Sequence, residues 1–154
     1  MARVERTTRV ATPASEVWAV LADFAAISTW APNVEHSCLL TAQTEGVGAV
    51  RRVQAGRATL RETVTVWEPE SKLSYSIAGL PSVIKSVTNT SQLSPAGNGT
   101  DDGRTDVSLV SEIAVGPRPP HRVAGHIVGR MLGSASDVML EGLTQHLEPV
   151  GSRS

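Results

Sequence analysis

The chain has 154 residues, with 14 basic and 15 acidic side chains, a formal net charge of −1 and 40% hydrophobic residues. That length fits one domain with a substantial core, and the near-neutral charge removes the field that draws proteins onto phosphate backbones, so nucleic acid is not an expected partner. The opening MARVERTTRV is charged and alternating, and no run approaches the roughly 18 apolar residues of a membrane span, so a cytoplasmic protein with no membrane span is expected.

Residues 3 to 11, RVERTTRVA, alternate and predict a strand. In TPASEVWAVLAD, Thr12 or Ser15 suits a helix cap, Pro13 fits a first turn, and Val17, Trp18, Val20 and Leu21 share one apolar face. A second short helix follows in FAAISTW and ends near Trp30, because Pro32 disfavours helical conformation in Ala31. From there to about residue 116 the period is near two. It predicts six strands in meander order at VEHSCLLTA, GAVRRVQ, ATLRETVTVW, KLSYSIAG, SVIKSVTNTSQL and RTDVSLVSEIAV, separated by glycine-, proline- and asparagine-bearing turns. The glycines and aspartates of SPAGNGTDDG suit an exposed hairpin end better than a calcium loop.

After Pro117, Pro119 and Pro120 the period becomes that of one long helix ending before Pro149. Val123, Ile127, Met131, Leu132, Val138, Met139, Leu143 and Leu147 form its apolar stripe, with Met131 and Val138 expected to face the sheet. A twisted sheet of seven mainly antiparallel strands supplies the surface such a helix needs.

This order, with the phrases ERTTRVATPASEVWAVLADFAAISTWAP, EGVGAVRRV and RETVTVWEPESKLSYSIAGLP, resembles the START-like, Bet v 1-like (SRPBCC) superfamily, and within it the polyketide cyclase/dehydrase and lipid transport branch. The resemblance implies an α+β helix-grip fold: a curved seven-stranded antiparallel sheet wrapped around a long C-terminal helix, with two short helices after the first strand. It implies one ligand-binding domain over residues 1 to 150 and a disordered tail over 151 to 154. It also implies a deep apolar cavity between sheet and helix, holding a small or medium hydrophobic ligand without a cofactor. Members of the branch include cyclase enzymes and noncatalytic carriers or sensors of lipids, isoprenoids and quinones; both readings stay open here, as do an interaction module whose small cavity binds nothing, and monomer and homodimer.

Three of five aromatic residues, Trp18, Phe24 and Trp30, fall in the first thirty positions. In a helix-grip fold they would close one end of the cavity, either stacking on a planar ligand or plugging the gap between helices and sheet. Trp67 is assigned to the outward face of its strand. Val64, Tyr75, Ile77, Ile127 and Met131 complete the expected ligand-binding set. Alternation also places polar groups on apolar faces: His36 with Val34, Cys38 and Leu40; Arg51 with Ala49 and Val53; Glu62 with Leu60, Val64 and Val66; Tyr75 with Leu73 and Ile77. A carboxylate and a guanidinium are costly to bury alone, so Arg51 and Glu62 are expected to pair across neighbouring strands. His36, Glu62, Arg51 and Tyr75 are then the candidates for the polar end of a binding cavity, or for proton transfer in an aldol cyclisation and dehydration. Cys38 is expected to be a buried, inert thiol. His121 and His126 are five positions apart and do not share a helix face as zinc-binding pairs do, so no metal site is expected.

Overall fold

The computed structural model describes residues 2–80, 84–95, 103–115 and 119–147. The elements run β1 (Ala2–Val10), α1 (Ala14–Ala22), a 3₁₀ helix (Phe24–Thr29), β2 (His36–Leu39), β3 (Val50–Ala55), β4 (Ala58–Glu68), β5 (Lys72–Ala78), β6 (Ile84–Pro95), β7 (Thr105–Val115) and α2 (Pro119–Leu147). The seven strands form one antiparallel sheet in the order β1-β7-β6-β5-β4-β3-β2. Strands β2 to β7 are thus a meander, and β1 closes onto the last of them. The helix α2 lies on β1, β7 and β6. This is the helix-grip arrangement that the element order predicts. The tail from residue 151 and most of the SPAGNGTDDG turn lie outside the described residues.

Neither Thr12 nor Ser15 caps α1. Extended Pro13 precedes the helix, and its carbonyl accepts from the amides of Glu16 and Val17. Thr12 is instead a stitch between elements, its carbonyl accepting a 2.7 Å bond from the Thr105 hydroxyl at the start of β7. The second short helix is a 3₁₀ helix with a non-helical residue, Ala26, inside it, and Trp30 follows it as its cap.

Alternation breaks at two places. Strand β2 begins only at His36, so buried Val34 lies before the strand and does not set its phase. Ser37 and Leu39 therefore turn inward, while His36, Cys38 and Leu40 are exposed. A one-residue slip sends every side chain of a strand to the other face. In β4 a bulge between Val64 and Val66 does the same: Val64 pairs with Tyr75, but Val66 pairs with Ser74 and Trp67 with Leu73. Trp67 consequently packs against the core edge-to-face with Trp18, their centroids 5.2 Å apart, rather than pointing outward.

The helix α2 meets the sheet through a face of small and apolar residues: Gly133, Ser136, Leu140 and Leu143 are buried. A Cβ on Gly133 would stand 2.8 Å from an Arg6 guanidinium nitrogen and 3.1 Å from Val4, so strand β1 comes too close for a larger residue there. The expected stripe faces the sheet only in part: Leu143 is buried and Leu132, Met139 and Leu147 pack against the two apolar clusters, but three of its large members turn outward. Ile127, Met131 and Val138 are 55%, 64% and 37% exposed.

The main core joins Val10, α1, the 3₁₀ helix, the inner faces of β3 to β7 and the last turns of α2. A second cluster of Ile84, Val87 and Ile113 lies near the other ends of β6 and β7.

Candidate functional site: a buried polar row beside a small cavity

Arg51 on β3 stands directly opposite Glu62 on β4. The Arg51 Nε donates to Glu62 Oε1 at 2.6 Å, and a second guanidinium nitrogen donates to the Phe24 carbonyl at 2.9 Å. Both side chains are nearly inaccessible, at 3% and 6% exposure. The guanidinium carbon lies 3.8 Å from the centre of the Phe24 ring and 4.7 Å from that of Tyr75, and these rings meet edge-on at 5.9 Å. Ion pair, carbonyl and ring faces together offset the desolvation that a buried guanidinium would otherwise suffer.

The polar row continues across the sheet. Tyr75, Asn89 and Ser111 are direct partners in register on β5, β6 and β7. The Ser111 hydroxyl donates to Asn89 Oδ1 at 2.7 Å, and the Asn89 amide reaches the Tyr75 hydroxyl oxygen at 3.4 Å. Burial, reinforced by the Glu62 charge and opposed by Arg51 and Asn89, pushes the Tyr75 phenol up to about 12. At neutral pH this phenol is a hydrogen-bond donor and not an anion.

Beside the row is a cavity of about 10 Å³, bounded by Leu21, Ile27, Trp30, Arg51, Leu73, Tyr75, Ser91 and Met139. That is room for about one water molecule. Met139 from α2 and Trp30 from the loop after the 3₁₀ helix line this small cavity together with Arg51 and Tyr75. The indole N–H of Trp30 is buried and has no hydrogen-bond partner among the described residues.

The structure therefore brings together Arg51, Glu62, Tyr75, Phe24 and Trp30. Val64, 1% exposed, is core, and half-buried Ile77 bridges the two apolar clusters. Trp18 is committed to Trp67. His36 is exposed on β2, away from the row, and Ile127 and Met131 lie on the outer face of α2. The side chains of His121 and His126 lie outside the described residues. Asn89, Ser91 and Ser111 escaped the sequence reading, although alternation carried the signal: Asn89 and Ser91 sit between Val87 and Leu93, and Ser111 between Leu109 and Ile113.

A seven-stranded grip on a terminal helix, with a buried arginine at the sheet's inner face, can be compared with known proteins as a whole. The family model described as polyketide cyclase / dehydrase and lipid transport matches residues 1–148. The chain belongs to that family. Among solved structures, a solution structure from Thermobifida fusca is 26% identical, with a TM-score of 0.76 over 96% of this chain and 94% of that one. The Zhui aromatase/cyclase from Streptomyces sp. R1128 is 20% identical, with a TM-score of 0.76 over 96% and 93% of the two chains. A START superfamily protein from Mycobacterium smegmatis is 16% identical, with a TM-score of 0.74 over 95% and 97%. No curated protein matches the chain in sequence. For this member of the polyketide cyclase / dehydrase and lipid transport family, the likeness to the last two structures shows the fold. No described helix is long and apolar enough to cross a membrane.

Proposed function

We propose that the protein binds a small, mostly apolar ligand bearing a carbonyl or enol oxygen, in the space between the sheet and α2. The observation that carries this reading is Arg51: a guanidinium nearly excluded from solvent, held by Glu62 and the Phe24 carbonyl, and bordering the cavity next to the Tyr75 phenol. A ligand oxygen placed there would meet a fixed positive charge and an O–H donor in a water-poor setting, where such groups act most strongly. The same pair stabilises an enolate. A cyclase/dehydrase-type reaction, in which a flexible polycarbonyl chain is folded and a carbon–carbon bond closes by aldol addition, is the enzymatic form of this reading. Glu62 is already engaged by Arg51 and serves to orient it.

To admit such a ligand, the small cavity beside Arg51 must widen, and Met139 is the side chain suited to yield, being unbranched and only half-buried. An apolar fluorescent probe should therefore bind Met139→Ala more tightly than the native chain, at roughly micromolar concentrations, and Trp30→Ala should weaken binding by more than it lowers stability. Probe binding indifferent to both substitutions would remove the internal site. A noncatalytic carrier of a lipid, isoprenoid or quinone is the second reading, favoured by the apolar character of Leu21, Ile27, Leu73 and Met139 around the cavity. Binding without turnover of a polycarbonyl chain would decide for it.

A further inference from the structure

The face of β3 and β4 opposite to Arg51 and Glu62 carries a second arrangement. Arg52 and Arg61 are direct cross-strand partners, flanked in register by Cys38 on one side and Ala78 on the other. Like charges placed opposite each other in a sheet cost stability. Elsewhere on the surface the arginines of β1 are neutralised, Arg3 by Glu5, Arg6 by Asp137 and Arg9 by Asp106. Among the described residues neither Arg52 nor Arg61 forms an ion pair.

The two guanidinium-bearing side chains border an open groove of about 250 Å³, whose other walls include Leu40, Leu60, Ala78 and Gly79. Leu40 is 51% exposed. The floor is kept bare by Gly79, which holds a φ of +104° and whose Cβ would stand 2.8 Å from the Thr59 carbonyl oxygen. Among the described residues no carboxylate borders the groove. Paired cations beside a short apolar trough are complementary to an anion with a short hydrocarbon tail. A phosphate monoester fits best: it carries between one and a half and two negative charges at neutral pH, roughly matching two arginines, and offers oxygens to two guanidinium forks.

We propose that Arg52 and Arg61 bind the head of a small, soluble phosphate monoester whose apolar tail lies over Leu40, Leu60 and Ala78. The site is separate from the internal cavity and does not depend on what that cavity holds.

The test is a titration of the ¹⁵N-labelled full chain with hexyl phosphate, followed by amide shifts. The expected result is saturable change confined to amides around residues 38–40, 52, 59–61 and 78–79, with Arg52→Gln and Arg61→Gln each weakening binding at least tenfold while leaving the remaining spectrum in place. Inorganic phosphate should bind at least tenfold more weakly than hexyl phosphate, and hexanol should give no saturable shift in these amides. Equal affinity for inorganic phosphate, shifts centred instead on Trp30, Tyr75 and Met139, or indifference to both substitutions would each overturn the proposal. So would adsorption to phosphatidylglycerol vesicles without any response to hexyl phosphate.

Discussion

Arg51 is buried at 2% exposure, and a charge so placed is tolerable only while its partner remains. Glu62→Ala removes the carboxylate that Arg51 Nε donates to at 2.6 Å and should cost about 3 to 5 kcal/mol in chemical denaturation. Replacing both residues together by apolar ones of similar volume should cost far less, because no uncompensated charge is left behind. Tyr75 is the chain's only tyrosine, so its titration can be read directly from phenolate absorbance. Its folded-state pKa of about 12 lies above the ordinary value of 10.0. The phenol's contribution to stability is thus complete below the unfolded value and is lost as pH rises through the folded one. Native protein should show no phenolate at pH 10.5, whereas protein in denaturant should be largely ionised there. A native titration near 10 would mean that the ring is solvated.

At the scale of elements, packing distance matters as much as pattern. A Cβ on Gly142 would stand 2.3 Å from the Trp30 carbonyl oxygen and 2.4 Å from Pro32 Cδ, so the last turns of α2 rest directly on the loop that follows the 3₁₀ helix. Neither contact is the end of a flexible side chain. Gly142→Ala should therefore destabilise, by about 1 to 3 kcal/mol despite alanine's better helix propensity, and thermal melting checks it. Element type and order were legible from the switch of hydrophobic period at Pro117–Pro120 and from the turn residues, and the Arg51–Glu62 pairing followed from alternation on two neighbouring strands. What was not legible were local breaks of phase. The Val64–Val66 bulge that turns Trp67 inward leaves no mark in composition. The rotation of α2 was legible only in part: the stripe correctly included Leu143, Met139 and Leu147, but the close approach at Gly133 and Gly142 shifts the contact face so that Ile127, Met131 and Val138 turn outward.

For the whole molecule, the sheet divides two chemical settings by one backbone. On β3, adjacent Arg51 and Arg52 point to opposite faces, the first into a dry, paired environment and the second into solvent beside another cation. Beside Arg51 the described residues leave a cavity of about 10 Å³, so a ligand oxygen reaches that guanidinium only if Met139 or the Trp30 loop gives way. The order β1-β7-β6-β5-β4-β3-β2 has a consequence in time as well as space. Strand β1 pairs Ala2 with Ile113 and Val10 with Thr105, so the first strand to be synthesised waits for the last before it has any neighbour in the sheet. Until then the meander can form hairpin by hairpin, but the platform on which α2 rests is incomplete, and closing so long a loop is among the slower events in folding. The charged, alternating start of the chain suits a segment that must stay in water, unpaired, while the ribosome produces its partner.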